Sequence, residues 1–121
     1  MLAEIFVSEG EGEPYIVVPD QFKIALFEWL KDKIPCTFPR SGGWIDNQPM
    51  NAVLELVDAS PKETEKPLDK WFETLSIAPE KQFHGDENNP TGISWRFDPN
   101  IYEQAQAEWL KKYRQQVMAE A

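Results

Sequence analysis

Apolar and polar positions follow different habits in different stretches of the chain, and each habit predicts an element. Ile5-Phe6-Val7 and Tyr15 to Val18 are short apolar, β-rich runs on either side of Glu9-Gly10-Glu11-Gly12-Glu13-Pro14. The two glycines there supply the backbone angles of a turn, so the pattern predicts a β-hairpin. Alternation at residues 5–7 is imperfect, which leaves that run open between a paired strand and a loose edge. Pro19 stops the second run, and Asp20 is an N-cap residue whose carboxylate can accept from free helix amides. Phe22, Ala25, Leu26, Trp29 and Leu30 then recur every three or four residues, the spacing of a helix. Ile24 and Phe27 widen its apolar arc, as expected of a helix wedged between a sheet and another element. Ile34-Pro35 marks its end, because proline pushes the preceding residue out of helical angles.

Residues 35–50 hold three prolines and a glycine pair, which leaves room only for a short strand at 36–38. Residues 51–58 place Ala52, Leu54 and Leu56 on one side and Val53 and Val57 on the other, the two-sided apolar pattern of a central strand. Ser60 to Glu63 has capping-box spacing, but Pro67 would break a helix already under way. The main helix is therefore expected to start near residues 65–67 and run to 78, with Leu68, Trp71, Phe72 and Leu75 as its stripe. Residues 79–92 are polar apart from Phe83 and dense in turn formers, which predicts a long connection. Ile93, Trp95 and Phe97 alternate with Ser94 and Arg96 as a one-faced strand. Asp98-Pro99 opens a C-terminal helix on which Ile101, Ala105, Trp109, Tyr113 and Val117 recur every four residues. The order ββαββαβα predicts an α+β fold: a four- or five-stranded, mostly antiparallel sheet, two packed helices and a long C-terminal brace. A ferredoxin-like βαββαβ core over residues 15–97 is one arrangement of that order.

At 121 residues the chain is expected to form a single domain, residues 1–121, burying about two thirds of its unfolded surface. Its 41% hydrophobic content and five tryptophans exclude intrinsic disorder. A net charge of -9 repels phosphate backbones and anionic lipid, so neither nucleic acid nor a membrane is an expected partner. No apolar run is long enough to span a bilayer, and the first residues lack the basic and apolar regions of a secretory signal. The single Cys36 cannot make an internal disulfide, which fits a cytoplasmic protein. Asn89-Pro90-Thr91 is excluded as a glycosylation acceptor by its central proline.

Chemistry-bearing side chains cluster in one place, His84-Gly85-Asp86-Glu87-Asn88-Asn89. An imidazole beside carboxylates suits a general base or a metal, yet one histidine and one cysteine exclude a single-subunit zinc site built on several imidazoles or thiolates. Asp, Asn and Gly are also the residues that turns use. Cys36 stands too close to Arg40 for a phosphatase loop, and the ordinary fate of a lone cysteine is that of a small buried hydrophobe. Ser41-Gly42-Gly43-Trp44 has no following Lys-Ser/Thr and is no phosphate loop. Trp44 lies outside every apolar stripe, so it is expected to be the most exposed of the five tryptophans, with Trp29, Trp71, Trp95 and Trp109 largely buried. With no catalytic constellation, the expected function is that of a small acidic binding or regulatory module needing no cofactor or metal. Its contact residues would be Trp44, Arg40 and Asp46 in one loop and His84, Asp86 and Glu87 in another, facing a protein partner with a basic surface. The alternatives are a small enzyme using Cys36 or His84 with Asp86 or Glu87, and an acidic mimic of nucleic acid.

Overall fold

The computed structural model describes residues 2–10, 13–41, 50–86 and 88–120. In chain order the elements are β1 (Ala3–Ser8), β2 (Tyr15–Pro19), α1 (Lys23–Leu30), β3 (Arg40–Ser41), β4 (Asn51–Glu55), α2 (Pro61–Thr74), β5 (Glu80–Asp86), β6 (Asn89–Phe97) and α3 (Pro99–Glu120). The fold is α+β. Among the described residues, six strands form one open sheet in the order β3-β4-β2-β1-β6-β5, and every pairing is antiparallel. No helix among them is long and apolar enough to cross a membrane.

Period-two alternation decides which side chains enter the core. On β1, Ala3, Ile5 and Val7 are buried, while Glu4, Phe6 and Ser8 are only half covered. The register sets Ile5 opposite Trp95 and Val7 opposite Ile93. With Ile16, Val18, Leu54 and Phe97, these residues form the sheet side of the core. Phe22, Leu26 and Leu30 from the α1 region, Leu68, Trp71 and Phe72 from α2, and Tyr102 from α3 complete it. The helices therefore share one face of the sheet. Val17 and Val53, on the other face, are also buried, so the middle strands are apolar on both sides as their sequence predicts.

Several expectations are corrected. The sheet has six strands, because the polar stretch 79–92 is not a long connection. It contributes β5, which pairs with β6 from Glu80 opposite Arg96 to Asp86 opposite Asn89. The hairpin expected of residues 5–7 and 15–18 does form, and its first strand is flanked by β2 and β6 and is no loose edge. A ferredoxin-like core would set residues 93–97 beside residues 15–18. Here β1 lies between them and pairs with both. The expected strand at 36–38 is a single bridge from Cys36 to Leu56, with the two-residue β3 further on.

Helix boundaries shift too. Asp20 opens a short 3-10 turn and does not cap α1; its carboxylate accepts from Lys23 Nζ at 2.9 Å and Ser41 Oγ at 2.7 Å. α1 stops at Leu30, short of Ile34. α2 starts at Pro61, ends at Thr74 and carries Pro67 inside it. Ser60 does cap the helix: the Glu63 amide donates to Ser60 Oγ and, in place of the backbone half of a capping box, that hydroxyl donates to Glu63 Oε1, both at 3.2 Å. Four residues after it, Thr64 N–H reaches the Ser60 carbonyl, so the first turn is secured before the proline arrives. On α3 the buried side is turned by one position from the expected stripe: Tyr102 and Gln106 are buried, Ala105, Trp109 and Tyr113 half buried, and Ile101 is exposed.

Candidate functional site

The sequence placed its chemistry at His84. The side chain is half buried on β5, its Nε2 3.2 Å from Ser94 Oγ and its ring edge-on to Phe6 at 5.4 Å. The next residue, Gly85, sits at φ 85° where the pairing with β6 slips by one residue. Beyond it, Asp86 Oδ1 accepts the amide of Asn88 at 2.9 Å and closes the hairpin turn. Both side chains thus serve the hairpin. Glu87 lies outside the described residues.

Cys36 and His84 are the two candidates for nucleophile and base, and the sheet separates them. Cys36 bridges to Leu56 beyond β4, whereas His84 is on β5 at the opposite edge. Strand spacings of about 4.8 Å put roughly 24 Å between them, against the 3 Å or so that proton transfer needs. Burial also pushes the Cys36 thiol above its ordinary pKa, away from the reactive thiolate. Among the described residues, no group of three or more His, Cys, Asp or Glu side chains could hold a metal ion. Trp44 and Asp46 lie outside the described residues. Arg40, exposed on β3, donates from Nη2 to Glu55 Oε1 at 2.6 Å. Between two such wet groups the pair adds little stability, but it places Arg40 at the border of the feature described next.

At the end of the sheet where the β1–β2 turn, the end of β4 and the start of α2 meet, the chain leaves an open cleft of about 620 Å³. Backbone hydrogen bonds build its walls. Leu56 N–H donates to the Pro14 carbonyl, Val57 N–H to the Pro35 carbonyl and Thr37 N–H to the Glu55 carbonyl, each at 2.9 Å. Asp58 then takes a left-handed angle, φ 56°, that turns the chain toward the Ser60 cap of α2. Aspartate tolerates that angle better than most residues.

Among the described residues, five carboxylates line this cleft: Glu9 and Glu13 from the turn, Glu55 from β4, Asp58 from the connection and Glu63 from the first turn of α2. No lysine or arginine among the described residues lines it. Glu55 is paired with Arg40 and Glu63 is engaged with Ser60, while Glu9, Glu13 and Asp58 form no ion pair with another described residue. Pro14, Leu56, Val57, Ala59 and Pro61 supply the apolar part of the lining. Ionised carboxylates only accept hydrogen bonds, so the cleft offers acceptors and negative field to a donor-rich cation. The acidity of Glu9 and Glu13 is plain in the sequence, but their meeting with Glu55, Asp58 and Glu63 depends on the β2–β4 pairing and has no local signal. Comparison with protein-family models, with curated proteins and with solved structures finds no match for this chain.

Proposed function

We propose that the protein is a small cytoplasmic binding module that takes a basic segment of a partner protein into its acidic cleft. One observation carries this reading: among the described residues, five carboxylates from four segments converge on a concavity that no lysine or arginine lines. Lysine and arginine side chains match it in two ways. Their charged heads supply the donors that carboxylates lack, and their methylene stems can lie along Leu56, Val57 and Pro61. The overall charge of -9 extends the same preference to long range, drawing in basic partners and repelling phosphate backbones.

The test is an affinity capture from native lysate with wild type and a Glu9→Gln, Glu13→Gln, Asp58→Asn variant side by side. These three side chains form no ion pair that the fold uses, and asparagine accepts the left-handed angle at position 58. The expected result is a basic protein retained by wild type at low salt and lost both from the variant and at high salt. Equal capture by the two proteins, insensitive to salt, would overturn the proposal.

A further inference from the structure

On another part of the surface, α1 and α3 leave a groove of about 390 Å³ whose lining includes Trp29, Trp109, Tyr113, Asp32, Lys33 and Lys112. Three aromatic rings that could have been closed into the core are only half covered here. They are held in place. Trp109 and Tyr113 stack at 5.1 Å with 13° between their planes, and Trp29 meets Trp109 edge-on at 6.3 Å. Trp29 Nε1–H donates to the Pro67 carbonyl at 3.2 Å, and Tyr113 O–H donates to Glu28 Oε2 at 2.9 Å.

Ammonium groups already occupy the ring faces. Lys33 Nζ lies 3.5 Å from the centre of the Trp29 ring, donating to the Trp29 carbonyl at 3.2 Å, and Lys31 Nζ lies 5.9 Å from the centre of Tyr113. The negative face of an indole attracts a cation, and the chain supplies one from an exposed lysine that can swing out at small cost. Once Lys33 leaves, the Trp29 face and Asp32, which makes no ion pair with another described residue, remain in the groove, together with Lys112 and with Glu28, which Lys31 and Tyr113 hold. An uncommitted carboxylate beside aromatic faces suits an ammonium whose hydrogens are replaced by methyl groups. Such a cation is weakly hydrated and has no donors to satisfy, so the ring face serves it better than it serves a lysine. We infer that the groove is a binding site for an alkylated ammonium group, with Lys33 as its built-in occupant.

Choline chloride is the probe, and 3,3-dimethylbutan-1-ol, its uncharged isostere, is the control. Binding is followed by NMR of the Trp29 and Trp109 indole N–H groups at constant ionic strength. The inference predicts that choline shifts both signals, binds at least about fivefold more tightly than the alcohol, and gains about threefold when Lys33→Ala clears the ring. Asp32→Asn should weaken it by a similar factor. Equal binding of choline and the alcohol, or a Lys33→Ala variant that binds choline no better than wild type, would overturn it. Neither outcome bears on the acidic cleft, whose residues are not in the groove.

Discussion

Ser76 holds a left-handed backbone angle, φ 59°, just past the end of α2. Its amide donates to the Glu73 carbonyl and the Ile77 amide donates to the Phe72 carbonyl, the paired bonds of a Schellman cap in which glycine is the usual occupant. Serine carries a Cβ into that angle at a cost. Ser76→Gly is therefore expected to raise stability by about 0.5–1 kcal/mol, read from the urea midpoint at unchanged slope. Asp20 makes the second prediction. The hydrogen bond from Lys23, and then that from Ser41, hold its carboxyl below the ordinary aspartate range despite some desolvation. A carboxyl lowered in the folded state contributes stability above its unfolded value of about 3.9, and loses that contribution as pH falls through the folded value. Asp20→Asn should thus be less stable than wild type at neutral pH, with the gap closing in acid titrations below about pH 3.9. The sequence marked Asp20 as an N-cap, a role it does not take, because its partner Ser41 is 21 positions away and no local pattern announces it.

Among the elements, α2 shows where a local rule yields to packing. Pro67 is inside the helix and removes the amide that would bond the Glu63 carbonyl, yet the helix runs through it. The Ser60 cap secures the turn before it, and the burial of Leu68, Trp71 and Phe72 secures the turn after it. Pro67→Ala should restore the missing bond and stabilise the domain by about 2 kcal/mol, somewhat less than the full cost of a helical proline because the unfolded chain also gains freedom. Denaturant titration checks this, and a loss of stability would contradict it, since alanine keeps the carbonyl that accepts from Trp29. β5 shows the opposite case. It is an edge strand in which Phe83 alone is apolar, so alternation is hidden and its composition reads as a loop. What holds it is non-local: pairing with β6, and Lys81 Nζ bound by Glu65 Oε2 at 2.7 Å and Asp69 Oδ2 at 2.9 Å on α2. Burial alone would lower the pKa of that ammonium, but the two carboxylates outweigh it and raise it. The helix period and the strand at residues 93–97 were legible because each depends on neighbours in sequence, although Ser94, expected on the wet face, is buried beside His84. Strand count and order depend on partners far along the chain.

At the scale of the whole molecule, the aromatic layer between the helices centres on Trp71. Trp71 is fully buried, donates its indole N–H to Tyr102 Oη at 2.6 Å and touches the rings of Trp29 and Trp109. Burial raises the Tyr102 phenol far above its ordinary pKa, which favours the neutral form that accepts from the Trp71 indole. Trp71→Ala is expected to cost about 3–5 kcal/mol, seen as a large drop in melting temperature. The expectation of four buried tryptophans holds in full for Trp71 and Trp95, whereas Trp29 and Trp109 stay half covered in the α1–α3 groove. Their positions on helical stripes were legible, but how completely α3 covers α1 was not. The acidic cleft lies at the end of the sheet, where the β1–β2 turn, β4, the connection after it and the first turn of α2 bring their carboxylates together. Its role in recognition is tested most directly by NMR titration of the protein with a short peptide of alternating lysine and serine. The account predicts amide shifts centred on Glu9, Glu13 and residues 55–63, abolished in the Glu9→Gln, Glu13→Gln, Asp58→Asn variant and by high salt. Shifts scattered over the acidic surface, or centred elsewhere and retained in that variant, would contradict it.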